Sequence, residues 1–178
     1  MNWIDKLNAV EACLETNEDI EQDFYIKQSG ASRHLIAKLQ VDFPWVAEDY
    51  IRFLELTNGA DIAQCRFVEC ERLGSSLEMY GETYPTERWL PFGFEAGGDP
   101  LLLHKSGKVA LGKGKSNSEE FQYLADSFSS FLSDVIMGQR YASIFRIPQD
   151  EHAAFYAEAI GEDPWLAFLV EQEWLKLT

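Results

Sequence analysis

The sequence predicts one α+β domain over residues 1–178. Three observations point to it: apolar stripes at helical period near both ends, a change to alternation just after residue 60, and a meander-like run of short strands from 89 to 111. At 178 residues, 46% apolar and 25% charged, the chain can bury a sizeable core and has the composition of an ordered globular protein.

Trp3, Leu7, Val10 and Leu14 share one helical face with acids on the other, which predicts an amphipathic helix over 3–14 and an acidic loop after it. Ser32 can cap a second helix that turns Leu35, Ile36 and Leu39 inward, and Phe43-Pro44 should end it. Pro44 suits the first turn of a third helix, with Val46, Tyr50, Phe53, Leu54 and Thr57 as its buried stripe and Asn58-Gly59 as its stop. Ala63, Cys65 and Phe67 then alternate with Gln64 and Arg66, as in a strand with one wet face. The stretch 73–88 fits a short helix or a packed loop. Strands are expected at 89–94, 101–104 and 109–111, the last two joined by a hairpin turn at Lys105-Ser106-Gly107-Lys108. Asp126 is expected to cap a helix using Phe128, Phe131, Leu132, Val135 and Ile136, with Gly138 past its end. Two more helices should follow, one over about 149–160 and one capped by Asp163, opened by Pro164, with Leu166, Leu169, Val170, Trp174 and Leu177 inside.

Charge is the strongest compositional fact. The net charge of −15 argues against nucleic-acid and anionic-membrane partners and in favour of a basic one. Residues 1–24 hold seven acids against Lys6 alone, and 148–178 hold seven against Lys176 alone, so each end carries −6 and the long middle only −3. No apolar run approaches the roughly eighteen residues of a membrane span, and the start lacks a secretory pattern, so a cytoplasmic location is expected. Cys65 and Cys70 lie in a strand-like stretch at an odd spacing, on opposite faces, and the three cysteines read as buried reduced thiols.

Taken in order, several of these pieces resemble one family. Phe43-Pro44, Asp49-Tyr50-Ile51-Arg52-Phe53-Leu54 and Thr57-Asn58-Gly59 are similar to a helix of the SUKH superfamily. Leu90-Pro91-Phe92-Gly93, Gly97-Gly98-Asp99, Leu101-Leu102-Leu103 and Gly107-Lys108-Val109 resemble its sheet, and Leu124-Ala125-Asp126-Ser127-Phe128 with Phe131-Leu132 its closing helix. The match spans about 32–137, and Pro44, Tyr50, Asn58, Gly59, Gly93, Gly98, Asp99 and Asp126 are its structural positions. The resemblance implies helices packed on a mixed or mainly antiparallel sheet, with extra helices at the C-terminus. It also implies a protein that works by binding, as in bacterial immunity proteins against toxins, many of them nucleases, or in a fungal regulator of cell-wall synthesis. It carries no catalytic residue set.

Catalytic and cofactor motifs are decoys. Gly93, Gly97 and Gly98 have the wrong spacing for a dinucleotide fingerprint and precede a strand, so a tight turn in which Asp99 satisfies nearby backbone donors is expected. Gly112-Lys113-Gly114-Lys115-Ser116 lacks the first P-loop glycine, because Val109 stands there. Glu78 replaces the second glycine of a nucleophile elbow, and Pro148 the first histidine of a zinc motif at Glu151-His152. His34, His104 and His152 could meet only through the fold, and carboxylate pairs are expected by chance in so acidic a chain. Neither a metal nor a cofactor is expected. Lys105, Lys108, Lys113 and Lys115 form one local basic cluster, read as solvated hairpin lysines or a contact for an acidic patch.

The expectation is a non-catalytic immunity protein that occludes a basic toxin domain. Its candidate anchors are Glu15, Glu18, Asp19, Glu21, Asp23, Asp150, Glu151, Glu158 and Glu162, provided that the two acidic ends lie on one side of the core, with an exposed Trp or Tyr as apolar contact. The alternative is an intracellular regulatory or scaffold protein with an endogenous partner.

Overall fold

The computed structural model describes residues 1–114 and 116–177. Among them, seven strands form one antiparallel sheet in sequence order: β1 (Phe24–Ile26), β2 (Ala60–Ile62), β3 (Cys65–Phe67), β4 (Trp89–Glu95), β5 (Pro100–His104), β6 (Val109–Gly112) and β7 (Phe121–Ala125). The helices are α1 (Trp3–Leu14), α2 (Arg33–Asp42), α3 (Glu48–Leu56), α4 (Leu73–Tyr80), α5 (Phe128–Ser130), α6 (His152–Ala159) and α7 (Pro164–Glu171). The fold is α+β with additional helices at the C-terminal end.

Local chemistry sets most boundaries. The Asn2 side chain accepts from the Ile4 and Asp5 amides to start α1, and Ser32 accepts from Leu35 to start α2. Pro44 does not open α3. It sits in a turn closed by the Val46 amide on the Phe43 carbonyl, and the helix begins at Glu48-Asp49, acids suited to the positive end of the helix dipole. Gly59 has φ +103°, the conformation expected of a stop glycine.

Other expectations need correction. The alternating stretch from Ala63 is a strand only from Cys65 on, as β3, because Ala63 at φ 54° turns the hairpin that joins β2 to β3. Cys70 therefore lies beyond the strand, in a 3₁₀ turn at Cys70–Arg72. It and Cys65 are both buried, Cys13 is half-buried, and all three are free. Asp126 is not the cap of the closing helix: α5 begins at Phe128, which leaves Asp126 one residue too early, and its exposed carboxylate pairs with Lys108 at 2.9 Å. Ser127 caps instead, accepting from the Ser130 amide while the Ser130 hydroxyl accepts from Ser127. Past α5 the helix widens into a π-helical segment, Phe131–Ile136, which buries Phe131, Leu132, Val135 and Ile136 together. α7 stops at Glu171, since Glu173 at φ 58° reverses the chain. Trp174 folds back on Phe168 and Leu177 is exposed.

The sheet's inner face carries the main core. Tyr50 and Phe53 of α3 pack on Phe67, Phe92 and Phe128 with ring centroids 5.0–5.9 Å apart, where tilted and edge-on rings add to simple burial. Lys6 crosses this layer: its ammonium donates to the Ser133 and Met137 carbonyls at the end of the π-helical segment and lies 4.9 Å from the Trp174 ring. Leu101, Leu102 and Leu103 are all buried because the outer face is covered there too, Leu102 packing with Tyr80, Tyr84, Trp89 and Ala110. That outer cluster lies under α4 and the turn after it. It ends before β3, leaving the outer face of β1–β3 open.

Candidate functional site

The register of the first four strands builds the open region. Tyr25 is paired with Asp61, Asp61 with Arg66 and Arg66 with Phe94, so one transverse row on the outer face reads aromatic, acid, base, aromatic. Asp61 takes Arg66 in a two-pronged pair at 2.6 and 3.2 Å, and the guanidinium lies 5.9 Å from the Phe94 ring. Tyr25 is 59% exposed and Met79, on the facing side of α4, 71%. Between them is a largely apolar groove of about 510 Å³ that also reaches Lys27, Glu69 and Gly98. Its rim cations are matched inside the protein, Lys27 to Glu69 at 2.9 Å and Arg72 to Glu69 at 3.2 Å. The groove thus offers apolar contact with little net charge. A second, polar trough of about 340 Å³ shares Asp61, Arg66 and Phe94 with it and extends to Gln22, at the acidic N-terminal segment.

The structural positions of the sequence frame this groove. Asn58 donates to Glu71 at 2.7 Å and accepts from the Cys70 amide at 2.8 Å, tying the end of α3 to the turn before α4. That hydrogen bond from Asn58 holds the Glu71 carboxyl below its ordinary range. Glu95-Ala96-Gly97-Gly98-Asp99 is a tight turn between β4 and β5, with Gly98 at φ +90° and its carbonyl accepting from the Tyr80 hydroxyl. Glu95 receives the Gly97 and Asp99 amides, while Asp99 receives the Gly114 amide at 2.8 Å and Arg146 at 2.7 Å. Burial pushes the Asp99 carboxyl up, but the Gly114 amide, Arg146 and Lys113 together hold it below the usual range. A Cβ on Gly93 would stand 2.3 Å from the Arg66 carbonyl oxygen, so only glycine lets β3 and β4 pair at that point. The turn is a structural clamp, as its spacing implied.

The candidate acids divide into two groups. Glu18 and Asp19 lie in an exposed 3₁₀ turn, Glu18–Ile20, which packs against α7, and Phe24 stacks on Trp165 at 6.1 Å. The N-terminal acids and the start of α7 therefore meet. Asp23 is raised above the ordinary carboxylate range by burial and by the charge of Asp163. Asp163 is committed to the fold, accepting from the Leu166 amide and the Tyr141 hydroxyl. Glu15, Glu21 and Glu162 are exposed. Asp150, Glu151 and Glu158, also exposed, belong to α6 and the turn before it, which pack on the 3₁₀ segment Tyr141–Phe145 instead. Tyr25, Arg66, Phe94 and Met79 were not singled out from the sequence, and the outward places of Arg66 in the alternating stretch were their one signal.

Lys113 pairs with Glu120 at 3.3 Å and Lys108 with Asp126, and Lys115 lies outside the described residues. Among the described residues, no group of three His, Cys, Asp or Glu could hold a metal ion, and no helix is long and apolar enough to cross a membrane. The model of the SMI1 / KNR4 family (SUKH-1) matches residues 30–134, which covers α2 to the π-helical segment and leaves both acidic ends outside. No curated protein matches the chain.

Proposed function

The chain belongs to the SMI1 / KNR4 family (SUKH-1), and from that premise we propose that it is a non-catalytic binding protein, an immunity protein that neutralises a basic toxin domain by occluding it. The observation that carries this reading is the packing of the acidic turn Glu18–Ile20 against α7, which brings acids of both ends to one side of the fold. Burial and the charge of Asp163 both raise the Asp23 carboxyl, a cost that a basic partner would relieve on binding. Glu15, Glu18, Asp19, Glu21 and Glu162 surround the pair in sequence and would speed encounter with a cation-rich surface. The polar trough reaches these acids at Gln22, and the groove that shares Asp61, Arg66 and Phe94 with it would receive an apolar side chain of the same partner.

The test is a pull-down from the native cell with this protein as bait, at low and at high salt. The expected result is a basic protein held at low salt, released at high salt, toxic when expressed alone and harmless when co-expressed with this chain. A neutral housekeeping partner, or none at either salt, would overturn the reading; the neutral partner would favour a regulatory or scaffold role.

A further inference from the structure

The two edges of the sheet are not guarded alike. β1 has three residues, and Asp23 and Lys27 flank it, the short charged pattern that discourages edge-to-edge pairing. β7 is longer, with five residues, Phe121-Gln122-Tyr123-Leu124-Ala125, none of them charged, proline or glycine, and its flanking acids Glu120 and Asp126 are each paired with a lysine. Its outer-face side chains are Phe121, 38% exposed, and Tyr123, 43% exposed, whose rings lie 5.2 Å apart. Trp89 backs Phe121 at 4.7 Å, so the aromatic pair is a firm surface.

We propose that β7 pairs antiparallel with β7 of a second copy of this chain, about a two-fold axis, joining two seven-stranded sheets into one. An axis at Gln122 sets Phe121 of each copy opposite Tyr123 of the other, an aromatic cross-strand pair made twice by symmetry. Charge selects this edge. Two chains of −15 repel, and the acids of the N-terminal segment lie at the β1 end, six strand spacings or about 29 Å from β7, several Debye lengths at physiological salt. Around β7 the charges nearly cancel: Arg88 pairs with Glu119, Lys113 with Glu120 and Lys108 with Asp126. Lys108, held by Asp126 and lying 5.3 Å from the Tyr123 ring, adds a cation to the aromatic face. Pairing through β1 would instead bring acids against acids. A strand pair that overlaps over Phe121, Gln122 and Tyr123, with two aromatic contacts, lies at the small end of stable interfaces, so dissociation in the range of about 10–100 µM is expected.

Sedimentation equilibrium of the full chain between about 5 and 500 µM at ~0.15 M salt tests this. The mass should rise to that of a dimer, and Phe121→Lys with Tyr123→Lys should hold it at the monomer while Tyr25→Lys, at the other edge, leaves the dimer intact. Hydrogen exchange on the unaltered protein should show protection of residues 121–125 rising with concentration, a readout that needs no variant to fold. A monomer at every concentration, a dimer that survives the double change, or exchange at 121–125 that ignores concentration would overturn the proposal.

Discussion

The β1 end and the β7 end of one sheet differ in how they treat charge. At β1 the acidic turn packs against α7, Asp23 is raised by burial and by the charge of Asp163, and an open groove begins at Tyr25. At β7 every charged neighbour named above has a partner of opposite sign, and the exposed surface is aromatic. The contrast teaches that the net charge is not a uniform coat for solubility. Glu18 and Asp19 stand on the turn that packs against α7, near the open outer face of β1–β3, whereas Asp150, Glu151 and Glu158 lie with α6 on another part of the molecule.

The largest expected effect severs the two ends. Gly93→Ala places a methyl against the Arg66 carbonyl in the middle of the sheet and should cost about 3 kcal/mol, read as a lowered urea midpoint. Asp99→Ala, which frees the Gly114 amide and Arg146, should cost about 2 kcal/mol. The depressed Asp99 carboxyl contributes stability in full above its unfolded value near 4 and loses it as pH falls through the lower folded value, so wild type and Asp99→Ala should converge in thermal scans toward pH 2.

Asp23→Asn should act in the opposite sense. A carboxyl raised by folding destabilises once ionised, so its cost appears as pH climbs from about 4 through the folded value. The variant should be more stable at neutral pH by about 0.5 kcal/mol after solvent screening, with the gain vanishing in acid. The smallest effect is expected from Glu18→Ser, Asp19→Ser and Glu21→Ser together. Melting should move by less than the equivalent of about 0.5 kcal/mol, because these side chains are exposed.

Long, strongly patterned elements were legible in the sequence. α1, α2, β4, β5 and β6 and the Asp163 cap of α7 fall where periodicity and capping chemistry put them. β3 was caught in the alternation of Cys65 and Phe67 with Arg66, but β1 and β2 were not, because three residues hold barely one alternation and their pairing is fixed by distant partners. β7 was passed over although Phe121 and Tyr123 alternate with Gln122, since Leu124 sits in a bulge between the pairings of Tyr123 and Ala125 and the following Asp126-Ser127 reads as a helix start. Asp126 failed as a cap because the adjacent Ser127 forms the capping box with Ser130, which sets the helix start one residue later. The groove could not be read at all. Tyr25, Arg66, Met79 and Phe94 come from four separate elements and meet only through strand register.

The central claim, that the acids at the β1 end capture a basic partner, is tested most directly by association rates. The partner retained at low salt would be mixed with wild type and with the triple serine variant across a range of ionic strength. The account expects association to slow at least tenfold for the variant at about 50 mM salt, with the two rates meeting near 500 mM as screening removes the long-range attraction. Equal rates at low salt would contradict it.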